Sequence, residues 1–124
     1  MKDIETRVNI EFLINAFYQK ITIDKLVGHF FTEVVVLEWD KHIPIIVDFW
    51  EGVLFGATKY KGNPMLKHIE LSKKSPLKAL HFERWLSTWE ETIRAHFEGP
   101  KAEEAISRAR QIGSLMQFKI EKSS

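Results

Sequence analysis

The sequence predicts an all-α fold in one domain, and three observations lead to this prediction. Apolar residues recur every three or four positions over several long stretches, as on one face of a helix. Residues of the kind that favour a strand cluster only at residues 34–37, which leaves any strand there without a partner. A chain of 124 residues is long enough for one hydrophobic core and too short for two. We therefore expect about four substantial helices, with some shorter ones and no sheet.

The first half of the chain begins with a strongly patterned helix. The spacing of its apolar residues predicts a helix over residues 9–22, with Asn9 as the N-cap. Asp24 can cap a short second helix over residues 26–31. Residues 34–37 are then expected to form an extended or helical connector.

The next two helices carry histidines. A helix over residues 43–57 is expected to begin near residues 40–43, which leaves His42 at its start and Pro44 in its first turn, where proline is tolerated. Gly56 and the turn-rich loop after it end this helix. A very short helix then starts at Pro64 and carries His68.

Two longer helices complete the chain. The segment at residues 72–76 is expected to break the His68 helix. A long helix dense in aromatic residues follows over residues 78–97, and Gly99-Pro100 stops it. The last helix has Ala105 and Ala109 on its apolar stripe.

The composition excludes several functional classes. The formal net charge of +1 gives no strong field for nucleic acid or an anionic membrane, and the lack of cysteine excludes disulfides, thiolate metal sites and a cysteine nucleophile. The N-terminus lacks the apolar run of a signal peptide, and no uncharged apolar stretch reaches the roughly 18 residues that span a bilayer. We therefore expect a soluble, cytoplasmic monomer or weak homodimer with no nucleic-acid or membrane partner.

The five histidines match none of the common catalytic or zinc motifs. His42 and His68 can face each other across apolar surfaces, but these surfaces offer no third ligand for a bare metal ion. Such a pattern describes a haem pocket better, because haem needs a large apolar slot, one axial nitrogen and a few basic groups for its carboxylates. The residues alone also suit a cofactor-free helical interaction module, in which the aromatic side chains only pack.

Six short motifs follow one another along nearly the whole chain. They are Phe17-Tyr18, Phe30-Phe31, Trp39-x-x-His42-Ile43-Pro44, Asp48-Phe49-Trp50, Tyr60-x-Gly62-x-Pro64-Met65-x-x-His68 and His81-Phe82-x-x-Trp85-Leu86. In this order they resemble the pattern of the third group of truncated haemoglobins. The absence of any Gly-Gly pair is also similar to this group. The resemblance implies a two-over-two sandwich of globin helices that holds a b-type haem.

The resemblance also implies roles for individual residues. His68 matches the axial ligand of the haem iron, the metal site. Tyr18, His42 and Trp85 match polar positions on the opposite side of the haem, where they would act on the bound ligand. The other matched or neighbouring residues are expected to contact the cofactor: Phe31, Ile46, Phe49, Trp50, Met65, Leu66, Leu71 and Phe82, together with Trp85.

These roles lead to a functional prediction. The Tyr18 hydroxyl and the Trp85 indole N–H can each stabilise a bound ligand by about 1–3 kcal/mol. Two donors predict slow release of O2, which suits a sensor, scavenger or redox catalyst better than oxygen transport. We expect O2, NO or peroxide as ligands, NO dioxygenation or peroxidase-like chemistry as reactions, and an unidentified reductase as partner. The basic candidates for the haem carboxylates are Lys67, Lys73, Lys74 and His81.

Overall fold

The protein is described by a computed structural model that covers residues 1–34, 38–60 and 62–123, without the side chains of residues 64–66 and 123. The described residues form five α-helices and one π-helix joined by turns and loops, and none of them lies in a strand. The all-α prediction is therefore confirmed. The helices are α1 (Arg7–Ile21), the π-helix (Phe30–Val34), α2 (Trp39–Phe55), α3 (Pro64–Lys74), α4 (Ala79–His96) and α5 (Pro100–Ser123).

Helix α1 starts with a reciprocal cap. The hydroxyl of Thr6 accepts the backbone N–H of Asn9 at 3.3 Å, and the side-chain oxygen of Asn9 accepts the backbone N–H of Thr6 at 3.0 Å. The predicted N-cap at Asn9 is therefore wrong by three residues. Both side chains of such a capping box are polar acceptors, so the sequence shows the pair without showing which member begins the helix.

The segment after α1 is not the predicted α-helix over residues 26–31. Asp24 does cap this segment, since its carboxylate accepts the N–H groups of Leu26 and Val27 at 2.8 and 3.2 Å. The chain then continues through turns into the five-residue π-helix. Gly28 permits these turns, because a Cβ there would lie only 2.5 Å from the carbonyl oxygen of Thr22. Of the predicted connector, residues 35–37 lie outside the described residues.

Helix α2 begins earlier than predicted, at Trp39. Pro44 therefore lies in the second turn rather than the first, where its missing N–H leaves the Asp40 carbonyl without a helical partner. The predicted end is confirmed. Gly56 has φ of +75°, and its N–H donates to the carbonyl of Gly52 at 3.0 Å.

Helix α3 is longer than the predicted short helix, because residues 72–74 continue it and do not break it. Ser72 contributes to the end of this segment, since its hydroxyl accepts the N–H of Leu77 at 3.1 Å. Proline restricts only the residue directly before it, so Pro76 leaves Lys74 free to be helical. The boundaries predicted for α4 agree with the structure to within one residue.

The core lies where α1 and α5 pack against α4 and where α2 packs against α1 and α5. Its most buried side chains include Ile10, Leu13, Ile14, Phe17 and Ile93. The principal backbone neighbour of α3 is α5. No helix within the described ranges combines the length and the apolar character that crossing a bilayer requires.

Candidate cofactor pocket

Two adjoining cavities lie beside the core. The larger has a volume of about 430 Å³, and the smaller has a volume of about 120 Å³. The larger volume falls within the roughly 300–1,000 Å³ that is typical of cofactor and ligand sites. Six residues border both cavities, so the two together form one slot with a partial division: Tyr18, Ile46, Tyr60, His68, Phe82 and Trp85.

The division is made by His68 of α3 and Trp85 of α4. Their ring centroids are 5.3 Å apart and their planes are tilted by 36°. A planar cofactor between these rings therefore requires them to separate.

On the other side of the slot, Tyr18 of α1 and His42 of α2 form a hydrogen bond between the phenol oxygen and Nε2, at 3.1 Å. Burial raises the pKa of Tyr18 well above its usual value, so the hydroxyl keeps its proton at neutral pH. Burial also lowers the pKa of His42, and electrostatic interactions with Lys67 and His68 lower it further. The pair therefore consists of two neutral groups, each of which can donate or accept a proton.

Aromatic contacts hold these polar groups in place. The Tyr18 ring packs edge-on against Phe31 and Trp39, with centroid distances of 5.6 and 5.2 Å. The Trp85 indole lies nearly parallel to Phe17 at 6.4 Å and edge-on to Phe31 at 6.2 Å. Because packing fixes the rings, the hydroxyl of Tyr18 and the N–H of Trp85 keep defined positions at the slot.

The structure brings most of the predicted site residues to this slot. Phe31, His42 and Leu71 border the larger cavity alone, whereas Phe49 and Trp50 border the smaller one alone. Among the basic candidates, Lys67, Lys74 and His81 line the larger cavity, and Lys73 is not among the residues that line either cavity. The side chains of Met65 and Leu66 lie outside the described residues, so their predicted contact with the cofactor stays a prediction.

Sequence reasoning missed Tyr60, which borders both cavities. Its ring packs on Phe49 at 5.3 Å, and a Cβ at Gly62 would lie 2.6 Å from its hydroxyl oxygen. Gly62 therefore leaves room for the phenol, and the Tyr-x-Gly spacing was the available signal. Ala109 and Gly113 of α5 were also missed, and their small side chains leave space for the smaller cavity.

The residues at the slot fit a haem better than a bare metal ion. Within the described part of the chain, no group of three histidine, aspartate or glutamate side chains could hold a metal ion. His68 is the one of the three histidines lining the slot that borders both cavities, and the walls around it are largely aromatic and aliphatic. This donor set suits a macrocycle that supplies the remaining ligands of its own iron.

Comparison with known proteins agrees with this geometry. No protein-family model matches the sequence. The chain is 32% identical over 108 residues to a group 3 truncated hemoglobin of Campylobacter jejuni, and the match covers 85% of this chain and 83% of that protein. The crystal structure of a group III truncated hemoglobin from Campylobacter jejuni superimposes with a TM-score of 0.85 at 30% identity, covering 100% of this chain and 98% of the other.

The fold is thus that of a truncated globin. The chain belongs to the group III truncated haemoglobins, as the six sequence motifs predicted.

Proposed function

We propose that this protein binds a b-type haem with His68 as the axial ligand, and that the loaded protein binds O2 and other small ligands such as NO. One observation carries the proposal: the imidazole of His68 borders a cavity of about 430 Å³ that is also lined by Tyr18, His42 and Trp85. Membership of the truncated haemoglobins supports it. When bound, haem would supply an iron that can take one small ligand at the slot.

The protein contributes hydrogen-bond donors at this position. The Tyr18 hydroxyl keeps its proton because its pKa is raised by burial. The indole N–H of Trp85 has no acceptor among the described residues, although the ring borders both cavities. Each donor can stabilise a polar ligand by about 1–3 kcal/mol in a site with little water. We therefore propose slow ligand release, which favours sensing, scavenging or redox chemistry over oxygen transport.

A redox role has support from the chemistry of His42. Its lowered pKa keeps the ring neutral at pH 7, so one ring nitrogen can accept a proton. When Nε2 carries the ring proton and donates to the Tyr18 oxygen at 3.1 Å, Nδ1 is the nitrogen that could accept a proton from a hydroperoxide in the larger cavity. This arrangement supports peroxidase-like chemistry. NO dioxygenation is the other candidate reaction, and it needs a reductase that is not identified. We propose either reaction for this protein, together with a cytoplasmic location.

The absorbance spectrum tests the proposal directly. The protein purified with haem should show a Soret band, whereas a cofactor-free interaction module would show none. The variant His68→Ala should lose most haem affinity, and added imidazole should restore the spectrum by replacing the missing ligand. The matched control is His96→Ala, because His96 is exposed and packs on Phe12, which lines neither cavity. An unchanged spectrum and affinity in His68→Ala would show that the axial assignment is wrong.

A further inference from the structure

We propose that the haem lies in one orientation, with its two carboxylates in the larger cavity beside Lys67 and Lys74 and its apolar edge in the smaller cavity. This inference rests on the proposed function, since it assigns contacts to the haem proposed above. It selects Lys67 and Lys74 from the four basic candidates. It also places the acidic edge of the haem in the larger cavity and the apolar edge in the smaller one.

The two cavities differ in the chemistry of their linings. The larger cavity is lined by the charged residues Lys67, Glu70 and Lys74, and by the imidazoles of His42 and His81. Among the described residues that line the smaller cavity, none is a lysine, an arginine or a carboxylate. Moving a carboxylate into apolar surroundings without a partner is strongly unfavourable, so the acidic edge of a haem is favoured only in the larger cavity.

The two lysines are placed to reach two carboxylates. Lys67 and Lys74 are seven residues apart on α3, which puts them on the same side of the helix and about 10 Å apart along its axis. Both are exposed, and neither forms an ion pair with another residue in the described ranges. Glu70 lies between them and offsets part of their charge, so the net field of this side of α3 remains positive.

His81 provides a further donor at the same cavity. Its Nδ1 accepts the backbone N–H of Lys78 at 3.0 Å. The neutral ring must therefore carry its proton on Nε2, which leaves this nitrogen as the one that can donate to a carboxylate. His81 thus adds a hydrogen bond to the charge of the two lysines.

The experiment compares haem with haem dimethyl ester, in which both carboxylates are neutralised. Each is loaded into the full-length protein, and its dissociation rate is measured by transfer to an excess of a haem-scavenging apoprotein. We expect Lys67→Gln and Lys74→Gln each to speed the loss of haem by about threefold to tenfold, and to leave the loss of the ester unchanged. Lys73→Gln is the matched control, because this lysine has the same charge and helix but lines neither cavity.

Each other outcome has a definite meaning. If Lys73→Gln speeds haem loss as much as Lys67→Gln and Lys74→Gln, only the general charge of α3 matters and the assignment is overturned. If the two variants change haem and ester loss equally, their effect is on the fold and the assignment is also overturned. A protein that binds haem through His68 but responds to neither lysine substitution would overturn the assignment and leave the proposed function intact. A protein that binds no haem would overturn both.

Discussion

Trp85 and Trp89 lie one turn apart on α4, yet they serve different halves of the molecule. Trp89 is 4% exposed, stacks on Trp50 at 4.8 Å and donates its indole N–H to the carbonyl of Ala105 at 3.2 Å. Trp85 is half-buried and borders both cavities, and its N–H has no acceptor within the described chain. The same residue type at helical spacing therefore completes the core at one position and presents an N–H donor to the slot at the other.

The surroundings of the two rings explain this difference. Beside Trp89, α1 and α5 pack on α4, so the indole is buried and hydrogen-bonded, and it borders only the smaller cavity. Trp85 contacts His68 of α3 in addition to its aromatic neighbours, and both cavities adjoin it. A tightly packed region gains stability from its contacts, whereas the slot keeps apolar surface and polar side chains that can bind a ligand.

The largest expected effect on stability comes from truncating a fully buried side chain of the core near Trp89. Ile93 is 0% exposed, so Ile93→Ala should lower the free energy of unfolding by about 2–5 kcal/mol. The matched variant in the slot is Ile46→Ala, which should cost about 1 kcal/mol because Ile46 is half-buried and already faces a cavity. Urea unfolding measures both. Equal losses would mean that the slot is packed as tightly as the core.

A smaller effect should separate the two tryptophans by function. Trp85→Phe removes the donor at the slot, so the O2 dissociation rate of the haem-loaded protein should rise about tenfold, which corresponds to roughly 1.4 kcal/mol. Trp89→Phe should leave that rate unchanged and lower the free energy of unfolding by about 1 kcal/mol through loss of the bond to Ala105. Stopped-flow ligand replacement gives the rates. A rate change in Trp89→Phe alone would reverse the assignment of the two rings.

The smallest expected effect concerns Asp3, which caps the N-terminus of α5 at the edge of the core. Burial alone would raise the pKa of Asp3, but the backbone N–H groups of Lys101, Ala102 and Ile4 donate to its carboxylate and lower the pKa below its usual value. Because the pKa is lower in the folded state, this stabilisation is present above pH of about 3.9 and is lost as the pH falls through the folded-state pKa.

Asp3→Ala should therefore cost about 1 kcal/mol of unfolding free energy at pH 7, and this difference should shrink as the pH falls below about 3.9. Urea titrations at several pH values measure it. Glu83→Ala is the control, since Glu83 is exposed and has no ion pair among the described residues. A cost that does not change with pH would rule out the charge of Asp3 as its source.

Local signals predicted some elements well and others poorly. The ends of α4 were predicted to within one residue, because the helical repeat of aromatic residues is long and Gly99-Pro100 stops it. The π-helix was not predicted, because its wider hydrogen-bond pattern has no distinct spacing of apolar residues. The predicted end of α3 is wrong, because serine and lysine can continue a helix as well as end it, and their identity alone does not distinguish the two cases.

The sequence by itself determined the helical class, the family and the identity of the polar residues at the slot, because periodicity and short motifs are properties of neighbouring positions. Only the tertiary structure decided which aromatic residues are core and which line a cavity, and that Lys74 reaches the slot whereas Lys73 does not. The physical reason is that burial depends on what packs against a helix face. That partner comes from a distant part of the chain, as α3 and α5 do for the two tryptophans of α4.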